Sequence, residues 1–315
     1  MPSSQSPRPK QRRAVPPYVT NLFLFIVTVV SVFTAGNPGL FLGDKPPSIS
    51  DFWAGWPFAI PLMIILLAHE FGHYIAAQIH GVPASLPYFI PLPMLSPFGT
   101  MGAIIAMKGR IKSRRALLDI GASGPLAGML FAVPILIWGL SQSEVHVVVG
   151  HGWLGLNGLL EGQCLLYSLL KWLVVGPIPQ GGDVYLHPTA FAGWTGLLIT
   201  MVNLVPVGQL DGGHVAYALF GPRQNAIARL VHFSLPLVGT IIFAINSLSM
   251  PWGKAAEMSL FWLVWFGFLF VLRRFSGGNH PPTEPGDLGL GRKFVAIFTL
   301  ILFVLLFMPT PMSVQ

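Results

Sequence analysis

The chain alternates long apolar runs with short polar or Pro/Gly-rich breaks. Seven runs, at residues 18–35, 58–79, 118–140, 189–205, 226–248, 258–272 and 294–308, approach the ~20 residues that span a bilayer as helix. A further apolar piece, 155–175, is interrupted by Glu161 and Lys171 and predicts an interfacial helix. The stretch 83–107 is apolar but too rich in Pro and Gly for a spanning helix. It predicts a re-entrant loop or a short β-hairpin directly after the second run. The expected fold is an all-α polytopic membrane protein of about seven transmembrane helices. There is no long polar insertion and no repeat, so a single domain over 1–315 is expected. Its core would lie at about 56–221, with 222–315 as additional C-terminal transmembrane helices.

Composition agrees with this pattern. Charged residues make up 9%, hydrophobic residues 53%, and mean hydropathy is +0.67. A soluble chain carries about 25% charged residues. The single Cys164 cannot form an internal disulfide and excludes a cysteine-based zinc site. The net charge of +7 does not point to nucleic acid, because the basic residues flank apolar runs and set orientation instead. Arg8, Lys10, Arg12 and Arg13 lead into the first run without a small-residue cleavage site, so an anchor is expected there. Place the N-terminus in the cytosol and alternate the seven runs. Only Lys45, Lys171 and Lys254 of the 18 Lys and Arg then fall on the far side.

The second run carries His69-Glu70-Phe71-Gly72-His73, an H-E-x-x-H motif. On a helix, His69 and His73 sit one turn apart and can share a Zn²⁺. Glu70 lies beside them and can take a proton from water activated there. Ionisable groups at membrane depth are expensive and mark function. If this run enters the cytosolic side with His80 near its end, His69 lies about 16 Å below that end. Chance placement on a buried core helix is the alternative, and motif plus membrane context weigh against it.

A catalytic zinc needs a third protein ligand and one open position. The later glutamates are Glu144, Glu161, Glu257 and Glu284. The first three fall on the far side, and Glu284 sits in a Pro/Gly-rich loop. Asp211 is better placed. It belongs to Asn203-Leu-Val-Pro-Val-Gly-Gln-Leu-Asp-Gly-Gly-His214, at the cytosolic end of the fourth run. Pro206, Gly208, Gly212 and Gly213 break the helix, which is tolerated at depth only in a protein-lined or wet setting.

These motifs resemble the site-2 protease family of intramembrane zinc metalloproteases. His69-Glu-Phe-Gly-His73 matches its first motif, and Asn203-x-x-Pro206 with Leu210-Asp211-Gly212 matches its second. Residues 119–128 resemble its third crossing. The likeness covers about 60–220 and is nearest to the compact bacterial and plastid branch, without PDZ or CBS domains. The resemblance implies Zn²⁺ held by His69, His73 and Asp211, with Glu70 as the general base. Asn203 would hold substrate backbone or the oxyanion. It also implies endoproteolytic cutting of transmembrane segments of single-pass membrane proteins, in a multi-pass enzyme of a bacterial plasma membrane. The 83–107 segment would pair with unwound substrate.

Several residues carry alternatives. A membrane transporter or metal permease would explain intramembrane His and Asp but not the Glu between the histidines. An inactive helix-binding relative is opposed by the intact ligand set. A zincin with a Glu third ligand would use Glu284 in place of Asp211. His214 either supports a ligand or is a surface histidine opening the next helix. The surface placement is expected, since a fourth protein ligand would close the site. His80 and His187 are expected away from the metal. Asp119 is expected at its helix N-terminus. Gly124-x-x-x-Gly128 is expected to allow close helix packing.

Overall fold

A computed structural model describes residues 16–37, 40, 48–147, 159–179, 182–275 and 279–314. Helices occupy all seven apolar runs: α1 (Pro17–Gly36), α3 (Trp56–Ile79), α4 (Arg114–Ser141), α6 (Pro188–Asn203), α8 (Gln224–Asn246), α9 (Trp252–Phe275) and α10 (Leu290–Leu306). Short helices α2 (Ile49–Trp53), α5 (Leu165–Val175) and α7 (Asp211–Phe220) lie between them. Five helical segments among the described residues are long and apolar enough to cross a membrane, the fourth running from α7 into α8. This is the architecture of a polytopic membrane protein. α6 and α10 are shorter, at 16 and 17 residues.

Helix starts follow local chemistry. Pro57 and Pro188 open α3 and α6, where a missing N–H costs nothing. Ser113 caps α4 by accepting from the Ala116 N–H. Asp119 therefore does not cap α4. It lies beyond the first turn, and its carboxylate instead receives Arg292 of α10 at 2.8–3.0 Å and His80 at 2.8 Å. Three helices meet at that one acid.

α4 is the hub, packed against α3, α6 and α7. The main core gathers Phe58 and Leu62 of α3, Leu136 of α4, and Trp194 and Leu197 of α6. Half of the spanning window is buried in α3 and α4, against 22% in α9. α8 and α9 pack mainly on each other, so their outer faces are left to lipid.

Beside the helices, six short strands among the described residues form three antiparallel pairs, where the sequence leads one to expect at most one hairpin. The 83–107 stretch contains a hairpin of β1 (Tyr88–Pro91) and β2 (Thr100–Ile104). α1 holds its β1 side: Asn21 donates to the Leu86 and Pro87 carbonyls, both at 2.9 Å, and Phe25 packs edge-on to Phe89. Ile104 of β2 is exposed. β3 (Glu144–Val147) pairs with β5 (Gly182–Tyr185), and β4 (Leu159–Glu161) with β6 (Met312–Val314). Residues 155–158 lie outside the described residues, and only 165–175 of that predicted interfacial helix are helical, as α5. Lys171 is not a surface charge interrupting it. It is buried and bonded to Glu161 at 3.2 Å and Asp183 at 3.3 Å, as a buried cation requires.

Candidate metal centre

Three elements converge. α3 supplies His69, Glu70 and His73, all buried. α7 supplies Asp211, its first residue, and α6 ends on Asn203. His69 Nε2 and His73 Nε2 lie 3.2 Å apart. Asp211 Oδ2 lies 3.2 Å from the first and 3.3 Å from the second. Tetrahedral zinc with ligands at about 2.0–2.1 Å holds its donor atoms about 3.3 Å apart. The near-equilateral triangle fits that ion. Among the described residues, this is the one group of three or more His, Cys, Asp or Glu with donors so close together.

The tautomer fits as well. His73 Nδ1 lies 2.7 Å from the Ile120 carbonyl, which can only accept, so Nδ1 carries the hydrogen and Nε2 offers its lone pair inward. Asn203 Nδ2 lies 3.5 Å from His69 Nε2, at the rim of the triangle. Glu70 lies within electrostatic reach of both histidines and Asp211.

α4 makes room for the rings. A Cβ on Gly124 would collide with the His73 imidazole, and one on Gly128 would sit 3.3 Å from His69 Nδ1. The G-x-x-x-G pair thus gives closeness to the His69 and His73 side chains, while the close backbone approach of α3 to α4 is at Gly72, where a Cβ would strike the Ser123 carbonyl. Gly121 does the same for α7, where a Cβ would lie 2.7 Å from that of His214. The turn between α6 and α7 is equally tight. Gly208 has φ 58°, and a Cβ on Gly212 would strike the Leu204 carbonyl.

The other candidates lie elsewhere. His187 accepts from the Thr189 N–H at the start of α6. His80 belongs to the Asp119 cluster. Glu161 bonds Lys171 and Tyr167. The Glu284 backbone N–H bonds the Lys112 carbonyl. Glu284 is not in the triangle; Asp211 is. His214 opens the next helix as expected, but it is half-buried, not a free surface histidine. Its Nδ1 lies 2.8 Å from Nε2 of His280, which is only 5% exposed and stacks on Tyr217. No sequence signal marks His280 or Tyr217 as partners of His214. His280 is followed by two prolines in a loop and shares no periodicity with α7.

The probable chloroplastic zinc metalloprotease EGY2 of Arabidopsis thaliana is 29% identical over 302 residues, covering 89% of this chain and 49% of its own. EGY1 of the same plant is 28% identical, covering 93% and 53%, and EGY1 of Oryza sativa subsp. japonica 28%, covering 93% and 50%. The chain spans about half the length of these curated relatives. No solved structure matches it. Residues 57–245, more than half of the chain, match the profile of Peptidase family M50, and the H-E-x-x-H helix and Asp211 fall within them. The chain therefore belongs to Peptidase family M50, the site-2 protease family.

Proposed function

We propose that this chain is a zinc metalloendopeptidase that cuts membrane-spanning segments of single-pass membrane proteins. The observation that carries the reading is the triangle of His69, His73 and Asp211, with edges of 3.2–3.3 Å from two separate helices. Those three residues would hold zinc. Bound there, it supplies Lewis-acid polarisation of a carbonyl and of water. Glu70 takes the proton from the attacking water and delivers it to the leaving amine. Asn203 Nδ2, at the rim, donates to the substrate carbonyl oxygen as negative charge develops. Ile120 keeps His73 in the tautomer that presents Nε2.

Substrate must unwind before its amide is reachable, and the freed backbone groups then need partners. The β1 side of the hairpin is covered by α1, so β2 is the edge on which an extended segment would add. We infer that the basic 108–115 loop and the N-terminus face the cytosol of a bacterial cell; the clustering of Lys and Arg beside the apolar runs supports that orientation. The named relatives are chloroplastic.

The test uses purified chain in detergent with zinc and a transmembrane peptide. Cleavage by wild type, none by Glu70→Gln, and equal zinc in both support the reading. Zinc binding without cleavage of any of a panel of transmembrane segments would turn it toward a permease.

A further inference from the structure

We propose that His280 is a positioning residue for Asp211, acting through His214. The proposal rests on the reading of Asp211 as a metal ligand. His280 lies in a strap, residues 279–289, beyond the 57–245 shared with the family profile.

The need arises at the start of α7. Asp211 is the first residue of that helix, and the N-cap, Leu210, gives no side-chain cap. A helix start without a cap leaves N–H groups unpaired and frays. Fraying here would move a ligand atom. The bond from the His214 N–H to the Leu210 carbonyl, 2.9 Å, ties the first turn to the residue before it. What holds His214 therefore holds the turn.

His214 is gripped from two sides. Gly121 of α4 leaves room for its Cβ on one side. His280 stands on the other. His280 Nδ1 lies 2.8 Å from the Pro281 carbonyl, which can only accept, so Nδ1 carries the hydrogen. His280 Nε2 is then an acceptor, and His214 Nδ1–H donates to it at 2.8 Å. The His280 ring stacks on Tyr217, one turn further along α7, with centroids 4.2 Å apart and planes 19° apart. The His280 N–H donates to Asn225 Oδ1 on α8 at 2.9 Å.

The strap is itself tied down. Arg115 donates to the Asp287 carbonyl at 2.8 Å, and the Glu284 N–H to the Lys112 carbonyl at 2.8 Å. Arg114 reaches the Gly286 carbonyl at 3.2 Å and also the last carbonyls of α7, Ala218 at 2.6 Å and Leu219 at 2.9 Å. α7 is thus held at both ends by residues that also hold or belong to the strap. Groups behind metal ligands set ligand orientation and typically carry about 10–100-fold in metal affinity.

The experiment compares full-length wild type, His280→Leu, His280→Gln and Asp211→Ala in detergent. Leu keeps apolar bulk against Tyr217 and removes the acceptor; Gln restores an acceptor oxygen. Zinc affinity is read by chelator competition, the ligand field by the visible bands of the cobalt-substituted protein, and fold by the melting temperature of the metal-free form. His280→Leu is expected to weaken zinc by about 10–100-fold and shift the cobalt bands. His280→Gln should recover most of that loss, with metal-free melting alike in the two variants. Wild-type affinity in His280→Leu, or equal loss in Leu and Gln, overturns the proposal. Asp211→Ala with wild-type zinc affinity would instead sink the ligand reading, and this proposal with it. Should His280→Leu not accumulate, Asn225→Ala, which releases the His280 backbone, replaces it under the same criteria.

Discussion

Glu70 follows His69 in the chain and has no role in holding the metal under the proposed reading. Glu70→Gln should therefore keep zinc and lose cleavage by at least ~10²-fold, the least a general base contributes. Retention of a tenth of wild-type cleavage would remove Glu70 from that role. Asp211→Ala should bind zinc far more weakly, because two histidines make an incomplete set; full occupancy would mean another third ligand. Gly124→Ala tests the packing. Its methyl would displace the His73 ring, so zinc affinity should fall although no ligand has changed. Unchanged affinity would show that α4 yields at that point. At this scale the sequence was readable where spacing encodes contact. His69 and His73 announce themselves by helical periodicity, and Asp211 by the glycines beside it. His280 did not, because 66 residues separate it from His214 and no local rule links a loop histidine to a helix so distant.

Among elements, the hairpin has the clearest consequence. A proline at Ile104 would remove an amide from β2, and one at Ile105 an amide just past it. Under the strand-addition reading, both should cut cleavage severely and leave zinc unchanged, and crosslinks to substrate along 100–105 should alternate with a period of two. Harmless prolines at both positions, or crosslinks of helical period, would reduce this segment to a connector. Pro and Gly content excluded a spanning helix in 83–107 but left loop and hairpin undecided. The pairing of Tyr88 with Ile104 and Phe89 with Ala103 decides it. β3, β4, β5 and β6 were not legible. Each is three or four residues long, and neither pair is joined by a short turn, so no hairpin signature exists to be read.

For the whole molecule, the helices over the seven apolar runs were legible from the length and apolarity of those runs, whereas their mutual fastening was not. Asp119 is the example, reading locally as a helix-start residue and serving as the acceptor that joins α3, α4 and α10. Asp119→Asn replaces a charge-assisted, bidentate contact with a neutral one. It should cost about 1–2 kcal/mol, discounted because Arg292 is partly exposed. A drop of a few degrees in melting temperature would register this; no drop would make the cluster incidental. The pairing of β4 with β6 bears on how such a chain is made. Residues 159–161 wait for 312–314, and the Gly162 N–H for the Pro311 carbonyl at 2.9 Å. At about 5–20 residues per second, the ribosome needs roughly 8–30 s to supply those partners. Asp211 is synthesised well before then. A nascent chain can therefore bring His69, His73 and Asp211 together while the Glu161–Lys171 end of the bundle still lacks the strand β6. Chains ending shortly before residue 309, stalled on the ribosome through an added C-terminal linker that carries the 279–289 strap clear of the exit tunnel, should bind zinc yet leave Gly162 open to hydrogen exchange; zinc binding that begins only when 309–314 are present would show that the two ends assemble as one.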